Sequence, residues 1–586
     1  TSRRMTTAAG ARPAMQLDLL IRNGMIIDGT GNPWFTADIG VRRGHIAAIG
    51  ALGKAEAART IDARGKVVAP GFVDAHAHSD YLILADPTNE NKLLQGVTLD
   101  TAGHCGYSAA PIGEVWFQEW WVPEITERFT VTPLERGEEM LREHGVELNW
   151  RTLGEYLAAV EGRQPGTNYL NFVGQVALRL AASGDYARRP TKREFAAMQR
   201  MLRQAMREGA FGFSTESGSH KGMDFDTEEL IELCKVAGAA GGIFTNHMRN
   251  YDDEAVSSTR EALAVCEAAG VPMIISHLGV AGRRRGVPAE AILSLIDDAR
   301  DRGLQVTADV MPYGYEEALF FSAQLRDLLP EWATEGGAGD FARRIANAGT
   351  RARLRDELIA GKASRFYVSP EAKPGEAYSC GPLGYPGWEE RLEVVRCAQA
   401  QFAGRRIGEI ARETGQDPFE VVFAILAADF DAAKVFRSKA DDTDMRALVT
   451  HPWVAFGGDG AQTRAIRRPG IPNPTQYSIF PMILGRYVRQ RRWLRWEEAI
   501  RKMTSLPCLA MGIYDRGVLR TGAWADITIF DPDRVNDCPD YARYPEQYAI
   551  GIEQVIVNGT LSVEDGRLTG ERDGRVLRST DRGKVR

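Results

Sequence analysis

The chain has 586 residues, 44% of them apolar and 26% charged, and its formal net charge at pH 7 is −6. These values are typical of a globular protein, and so small a charge argues against a nucleic acid or an anionic membrane as partner. No stretch reaches the roughly 18 apolar residues of a membrane helix. The seven cysteines, an odd number at scattered positions, indicate a reducing cytoplasm rather than a disulfide framework.

The N-terminal part of the chain reads as short strands separated by turns. Apolar runs at 19–21, 25–27, 39–41 and 46–49 are interrupted by Asn23 and Gly24 and by Asp28 and Gly29, pairs that favour hairpin turns. The same pattern returns at 525–530 and 555–559. We therefore predict a small β-sandwich domain formed from both chain ends, with residues 16–68 as its first part and 516–570 as its second.

The two extreme ends of the chain have a different composition. Residues 1–15 lack the apolar core of a signal peptide, and we expect them to be a disordered leader. Residues 571–586 are basic and weakly apolar, which indicates either a disordered tail or an arm.

The middle of the chain alternates short apolar runs with amphipathic helices, predicted at 194–207, 257–269 and 289–302. The runs lie around Phe72, Val97, Leu170, Phe211, Ile243, Ile274, Val306 and Val454. Eight βα units predict an α/β fold, a (β/α)8 TIM-type barrel over residues 69–515. The gap before the last run is too long for one helix, so we predict an insertion at about 313–450, as a lid or an additional helical layer.

Six side chains that commonly bind zinc follow these runs: His76, His78, Cys105, His247, His277 and Asp459. The C-terminal ends of barrel strands meet on one face, where active sites of this fold lie. Residues two apart on a strand point to the same side, so His76 and His78 can reach one ion. Since a bound zinc-type ion makes hydroxide from water near neutral pH, the pattern predicts a metal-dependent hydrolase.

Cys105 and Asp459 each have an alternative interpretation. Cys105 is either a thiolate that holds one ion or bridges two, or a buried packing thiol. Asp459 has glycine on both sides, which suits either an unobstructed catalytic carboxylate or a turn. As a general acid/base, Asp459 would take a proton from the metal-bound water and pass it to the leaving group.

Together these residues resemble the amidohydrolase superfamily and, within it, the D-aminoacylase (N-acyl-D-amino-acid deacylase) family. The resemblance covers nearly the whole chain and is most specific at 96–98, 103–106, 247–249, 306–313 and 497–504. It implies a tight zinc site at Cys105, His247 and His277, and a second, weaker position at His76, His78 and Asp459. The cysteine marks this branch, because other members of the superfamily usually place a carboxylated lysine or a glutamate in that role.

Several positions depart from the family pattern. Gly279 stands where the family has a lysine that helps hold the substrate carboxylate, and Thr475 and Met482 stand where it has arginines. The segment 216–222 replaces the family's Gly-Leu-x-Tyr-x-Pro-Gly. Each charge-assisted hydrogen bond lost in this way is worth about 1.5–3 kcal/mol. The predicted substrate contacts are Ser219, His220, Lys221, Gly279, Tyr313 and Thr475.

We therefore expect zinc-dependent hydrolysis of a small-molecule amide other than a typical N-acyl-D-amino acid. Two alternatives stay open: the standard deacylase activity, and hydrolysis of a cyclic amide, an ester or a C–C bond at the same site. A non-catalytic scaffold is disfavoured, because such relatives typically lose ligands and all six are present here. We expect a cytoplasmic protein with no nucleic-acid or membrane partner, and the composition leaves homo-oligomerisation open.

Overall fold

The computed structural model describes residues 16–118, 130–186, 188–217, 226–251, 254–279, 287–312, 321–360, 383–384, 386–437, 442–460, 475–537 and 547–581. The strands, in chain order, are β1 (Leu17–Ile26), β2 (Phe35–Arg42), β3 (His45–Gly50), β4 (Ala57–Asp62), β5 (Val67–Pro70), β6 (Phe72–Asp74), β7 (Val97–Ala102), β8 (Val115–Gln118), β9 (Thr130–Pro133), β10 (Asn168–Asn171), β11 (Val173–Gly174), β12 (Gly212–Glu216), β13 (Ile243–His247), β14 (Met273–Ile275), β15 (Val306–Val310), β16 (Phe321–Gln324), β17 (Leu392–Arg396), β18 (Arg405–Arg406), β19 (Lys434–Arg437), β20 (Val454–Phe456), β21 (Ile527–Phe530), β22 (Ile552–Val557), β23 (Thr560–Glu564) and β24 (Arg567–Leu568).

The α-helices are α1 (Leu82–Ala85), α2 (Glu90–Leu93), α3 (Leu134–Glu143), α4 (Leu153–Gly162), α5 (Gln175–Ser183), α6 (Lys192–Glu208), α7 (Thr227–Gly238), α8 (Ala255–Ala269), α9 (Ala289–Asp301), α10 (Glu331–Thr334), α11 (Gly337–Ala346), α12 (Ala348–Ile359), α13 (Ile407–Thr414), α14 (Pro418–Ala428), α15 (Asp442–Thr450), α16 (Thr475–Met482), α17 (Trp496–Met503) and α18 (Ser505–Ala510). A π-helical segment, Ile483–Gln490, continues α16. Within the described ranges, no helix has the length and apolar character needed to span a membrane.

The barrel has eight parallel strand positions, here called staves, and each of the eight apolar runs found in the sequence supplies one of them. Their order is β6, β7, β10 with β11, β12, β13, β14, β15 and β20. The third stave is split at Phe172 into β10 and β11. The backbone N–H of Ala75 donates to the Phe456 carbonyl at 3.3 Å, which joins the last stave to the end of the first. The prediction of a (β/α)8 barrel is confirmed.

The barrel strands and helices follow from local sequence. Strands β12 and β13 are buried at every residue, because helices cover the outside and packed side chains fill the inside. Helix α6 begins with a capping box between Thr191 and Glu194 and ends at Gly209, whose φ of 118° is readily available only to glycine. The predicted helices at 194–207, 257–269 and 289–302 correspond to α6, α8 and α9.

Both chain ends contribute to one nine-stranded sheet, as predicted. Its order is β24-β23-β22-β21-β5-β1-β2-β3, with β4 beside β1, and β21 pairs antiparallel with β5 to join the two ends. The Ile46 N–H donates to the Ala523 carbonyl at 2.8 Å, which ties β3 back to the segment before β21. The sheet thereby encloses an apolar core that includes Ile21, Ile39 and Ile527.

The expectation that Asn23 and Gly24 form a hairpin turn is wrong. Strand β1 runs through both residues, and its register with β2 shifts between Ile21 and Gly24, as in a β-bulge. The hairpin turn before β3 lies instead at Arg43 and Gly44, whose φ angles are 53° and 78°. Because bulges and hairpin turns both favour residues with positive φ, the dipeptide alone did not distinguish them.

The segment between β15 and β20 contains a separately packed unit. Its described part has an antiparallel sheet in the order β16-β19-β17-β18, and helices α10–α14. The unit has its own apolar core, which includes Leu325, Phe341 and Val422. Helix α15 packs against α9 and β20, so it belongs to the outer layer of barrel helices.

The C-terminal stretch is an arm over its described part, residues 571–581. The Leu577 N–H donates to the Tyr169 carbonyl at 2.7 Å, and the Tyr169 N–H donates to the Arg575 carbonyl at 2.9 Å. These bonds attach the arm to β10, at the N-terminal ends of the barrel strands. Of the two alternatives left by the sequence, the described residues adopt the arm.

Candidate metal centre

All six predicted ligand residues lie together at the C-terminal ends of the barrel strands, and all six are buried. Their ligand atoms form two groups, within each of which all the atoms lie within 4.8 Å of one another. One group is Cys105, His247 and His277, and the other is His76, His78, Cys105 and Asp459. Cys105 belongs to both, so the structure brings the two sets of ligand residues into one continuous site.

The Cys105 thiol lies among three imidazole nitrogens. Its Sγ is 3.3 Å from Nε2 of His76, 3.3 Å from Nε2 of His277 and 3.4 Å from Nδ1 of His247. A sulfur and a nitrogen that ligate the same tetrahedral zinc are about 3.5 Å apart, from their bond lengths to the metal. The donor types and separations therefore fit zinc.

The Asp459 carboxylate faces the pair of histidines that follow β6. Its Oδ1 is 3.0 Å from Nε2 of His78 and 3.5 Å from Nε2 of His76. Backbone hydrogen bonds fix this approach: the Asp459 N–H donates to the His76 carbonyl at 2.7 Å, and the His78 N–H donates to the Gly460 carbonyl at 2.9 Å. The first and eighth barrel strands thus hold the carboxylate beside both rings.

Two buried carboxylates orient the imidazole rings. Asp309 Oδ2 is 3.3 Å from Nδ1 of His76, and Glu216 Oε1 is 3.2 Å from Nε2 of His247. In each ring the other nitrogen faces Cys105. No sequence motif marked Asp309 or Glu216 as a site residue, although both are carboxylates near the C-terminal end of a barrel strand, β15 and β12 respectively.

The surroundings of His76 favour positive charge. Burial by itself lowers the pKa of His76, but the nearby Asp309 and Cys105 outweigh it and raise that pKa to about 10. His104 lies behind His76, with the ring centroids 4.3 Å apart, and burial together with His76 and His78 lowers the pKa of His104 well below its usual value. His104 is therefore a neutral supporting residue, whereas the carboxylates and the thiol suit a cation.

A buried ion pair supports the site from behind. Asp74 accepts a hydrogen bond from the Gly458 N–H at 2.8 Å and forms an ion pair with Lys92, which also lies 3.7 Å from Asp100. All three charged side chains are buried. Because Asp74 stands in the first stave and Gly458 adjoins Asp459, this carboxylate links the two halves of the second ligand group.

Three of the six candidate ligands have strained backbone. The φ angles of Cys105, His277 and Asp459 are 50°, 34° and 48°, in a region that costs a non-glycine residue about 1–3 kcal/mol. Such strain persists only where surrounding contacts fix it, and it is concentrated at functional sites. Gly457 is also required, because a Cβ there would lie 2.6 Å from the Cβ of His76.

The predicted substrate contacts are described only in part. Ser219, His220, Lys221 and Tyr313 lie outside the described residues, and Thr475 is described only as the first residue of α16. Gly279 follows His277 in the loop after β14, and Met482 is buried at the end of α16. The Arg249 guanidinium, beside His247 in sequence, contacts Glu261 at 2.7 Å and donates to the Ser217 carbonyl at 3.1 Å.

This chain is similar to known proteins in sequence and in fold. A sequence model described as the amidohydrolase family matches residues 59–240 and 386–563, and one described as the N-terminal domain of the urease alpha-subunit matches residues 2–71. An N-acyl-D-glutamate deacylase from Alcaligenes xylosoxydans xylosoxydans is 32% identical over 96% of this chain and 97% of that protein.

Two solved structures are also similar over 96% of this chain and the whole of theirs. One is a D-aminoacylase with a binuclear metal center, at 28% identity and a TM-score of 0.70. The other is N-acyl-D-glutamate deacylase from Bordetella bronchiseptica, complexed with zinc and a phosphonate inhibitor, at 30% identity and a TM-score of 0.69.

Proposed function

Because this chain belongs to the amidohydrolase family and is a metal-dependent hydrolase of carbon–nitrogen bonds, we propose that it cleaves a small-molecule amide with zinc. The position of the Cys105 thiol carries the proposal, since it lies 3.3–3.4 Å from nitrogens of His76, His247 and His277. A packing role for a thiol needs no imidazole nitrogens around it, whereas a thiolate and imidazoles are the ligands that zinc takes.

We place the tight zinc at Cys105, His247 and His277, and a second, weaker position at His76, His78 and Asp459. The ligand groups support two positions, because they share Cys105, and a thiolate can bridge two ions. The zinc bound by one solved relative and the binuclear metal center of the other support zinc as the metal and two metal positions.

Zinc held here would activate a water molecule and polarise the amide carbonyl. Asp459 is placed to take a proton from that water and to deliver it to the amine nitrogen as the C–N bond breaks. Its carboxylate is fixed for this task by the backbone bond from Asp459 to His76 and by the contact with His78.

For the substrate, we propose a neutral or aromatic amide without a free α-carboxylate. Glycine at 279 and methionine at 482 offer no positive charge, and Arg249 already contacts Glu261. A second candidate is an N-acyl-D-amino acid, favoured by the 32% identity to an N-acyl-D-glutamate deacylase. Lys221 or Arg283 would then have to supply the cation that Gly279 lacks.

A substrate panel, assayed with and without added zinc, tests both parts of the proposal. It should contain N-acyl arylamines, N-acetyl-D-glutamate, N-acetyl-D-aspartate, N-acetyl-D-methionine, cyclic amides and esters. Zinc-dependent hydrolysis of arylamides in preference to the D-amino acid derivatives is the expected result. Efficient hydrolysis of only the D-amino acid derivatives would overturn the substrate assignment. A zinc-loaded protein that cleaves no member would contradict the activity.

The Asp459→Asn variant tests the acid/base assignment with any substrate that the panel identifies. General acid–base groups contribute about 10²–10⁴-fold to rate, so we expect kcat to fall by that factor. Zinc bound by Cys105, His247 and His277 should be retained, because Asp459 belongs to the other ligand group. Asp298→Asn, at an exposed position on α9, is the matched control and should leave kcat unchanged.

A further inference from the structure

We propose that Glu216 is a positioning residue that presents His247 to the tight zinc, an inference that rests on the proposed function. Glu216 stands where the family pattern has glycine, so its carboxylate is a feature of this chain and not of the pattern. Glu216 does not belong to either ligand group.

The ring of His247 lies between a carboxylate and the thiol. Its Nε2 is 3.2 Å from Oε1 of Glu216, and its Nδ1 is 3.4 Å from Sγ of Cys105. A neutral imidazole carries one N–H, and a carboxylate accepts a hydrogen bond but cannot donate one when ionised. At 3.2 Å, the negative charge of Glu216 favours the tautomer with hydrogen on Nε2, which leaves the Nδ1 lone pair facing Cys105 and the metal position.

The fold holds Glu216 in this place. Glu216 is the last residue of β12, and the parallel register of β12 and β13 places it directly beside His247. The side chain is fully buried, and Tyr107 donates a hydrogen bond from its hydroxyl to Oε2 at 3.4 Å. Gly106, next to Cys105, leaves room for it, since a Cβ there would lie 3.0 Å from the Glu216 Cβ.

The arrangement matches that of Asp309 and His76 in the other ligand group. A carboxylate behind a ligating histidine fixes the ring and increases the basicity of the nitrogen that binds the metal. Loss of such a partner typically weakens metal affinity about 10–100-fold. Each ligand group thus has one histidine with a carboxylate behind it.

The test compares zinc affinity in Glu216→Gln, Glu216→Ala and the parent protein, by competition with a chromophoric chelator after removal of metal. Glutamine keeps an oxygen beside Nε2 but lacks the charge, so we expect zinc to bind about tenfold more weakly in Glu216→Gln. In Glu216→Ala, which loses the carboxylate contact altogether, the loss of zinc affinity should approach about 100-fold. Glu232→Gln, on the exposed side of α7, is the control and should bind zinc like the parent.

Cobalt substitution adds a readout that separates positioning from direct ligation. If Glu216 only positions His247, the visible spectra of the Co²⁺-substituted parent and Glu216→Gln proteins should indicate the same coordination number for the metal. A changed coordination number would make Glu216 a ligand and overturn the positioning role. Thermal unfolding of the metal-free proteins checks folding, and the isosteric glutamine variant carries the test if the alanine variant does not fold.

The outcomes distinguish this inference from the proposed function. If the parent protein binds no zinc, the proposed function itself fails. If the parent binds zinc and both Glu216 variants bind it equally tightly, only the role of Glu216 is overturned.

Discussion

Asp309 lies behind His76, with its Oδ2 3.3 Å from the ring Nδ1, while the opposite Nε2 is 3.3 Å from Cys105 Sγ. The other oxygen of Asp309 accepts the backbone N–H of His277 at 2.7 Å. A single carboxylate on β15 therefore positions residues that follow β6 and β14. These two histidines belong to different ligand groups, so Asp309 connects both parts of the candidate metal centre.

Asp309→Asn should weaken metal binding without removing a ligand. The amide retains the shape of the carboxylate but loses its charge, and we expect zinc to bind about 10–100-fold more weakly. Chelator competition measures the effect, with Asp298→Asn as a control for the loss of one negative charge. Unchanged zinc affinity in Asp309→Asn would show that the contact with His76 does not serve the metal.

Cys105→Ala should reduce zinc content more than any other single ligand change, because Cys105 belongs to both groups. By contrast, His78→Ala should affect only the weaker position. Metal analysis of dialysed protein by mass spectrometry measures the zinc content per chain. Cys397→Ala, in the insertion, is the control. Equal zinc content in Cys105→Ala and the parent protein would contradict the site.

Gly457→Ala should separate the last barrel strand from the first. The new methyl group would lie 2.6 Å from the His76 Cβ, and overpacking of a core typically costs about 1–3 kcal/mol. We expect lower stability towards urea and a loss of hydrolytic activity, because Asp459 follows two residues later. Gly53→Ala has open space around the added carbon and is the control. A Gly457→Ala variant with normal stability and activity would contradict the close approach.

Lys502→Met should stabilise the protein at neutral pH more than at alkaline pH. Burial lowers the pKa of Lys502 from 10.5 to about 7, while Glu498 raises that pKa and Arg501 lowers it further. Between pH 7 and pH 10.5, the unfolded chain binds more protons than the folded chain. The free-energy cost of burying the charged lysine is therefore complete below pH 7 and disappears towards pH 10.5. At about 1.4 kcal/mol per pKa unit, the cost is roughly 5 kcal/mol at most.

The measurement for Lys502 is urea unfolding of both proteins across this pH range. The difference between the two free energies of unfolding isolates Lys502, because other groups titrate alike in both. The lysine also donates to the His451 carbonyl, and loss of that bond offsets part of the gain. A stability difference that stays constant from pH 7 to 10.5 would contradict the lowered pKa of Lys502.

Much of the fold and the ligand set could be predicted from residues close together in the chain. Alternation of apolar runs and helices identified all eight staves, and the resemblance to the amidohydrolase superfamily is confirmed by the family match. The candidate ligands were recognisable because each stands at or soon after the end of an apolar run, and a parallel barrel brings all such ends to one face. The residue pairs typical of hairpin turns were less informative, since Asn23 and Gly24 lie within strand β1.

The carboxylates that orient the ligands could not be predicted in this way. Glu216 is adjacent to His247 only through the pairing of β12 with β13, and Asp309 reaches His76 from 233 residues away. Composition and periodicity carry information about single elements, whereas a hydrogen bond between elements depends on the angle and register at which they pack. The sequence by itself determined the barrel and the types of ligand residue. Only the tertiary structure decided which nitrogen of His76, His247 and His277 faces the thiol.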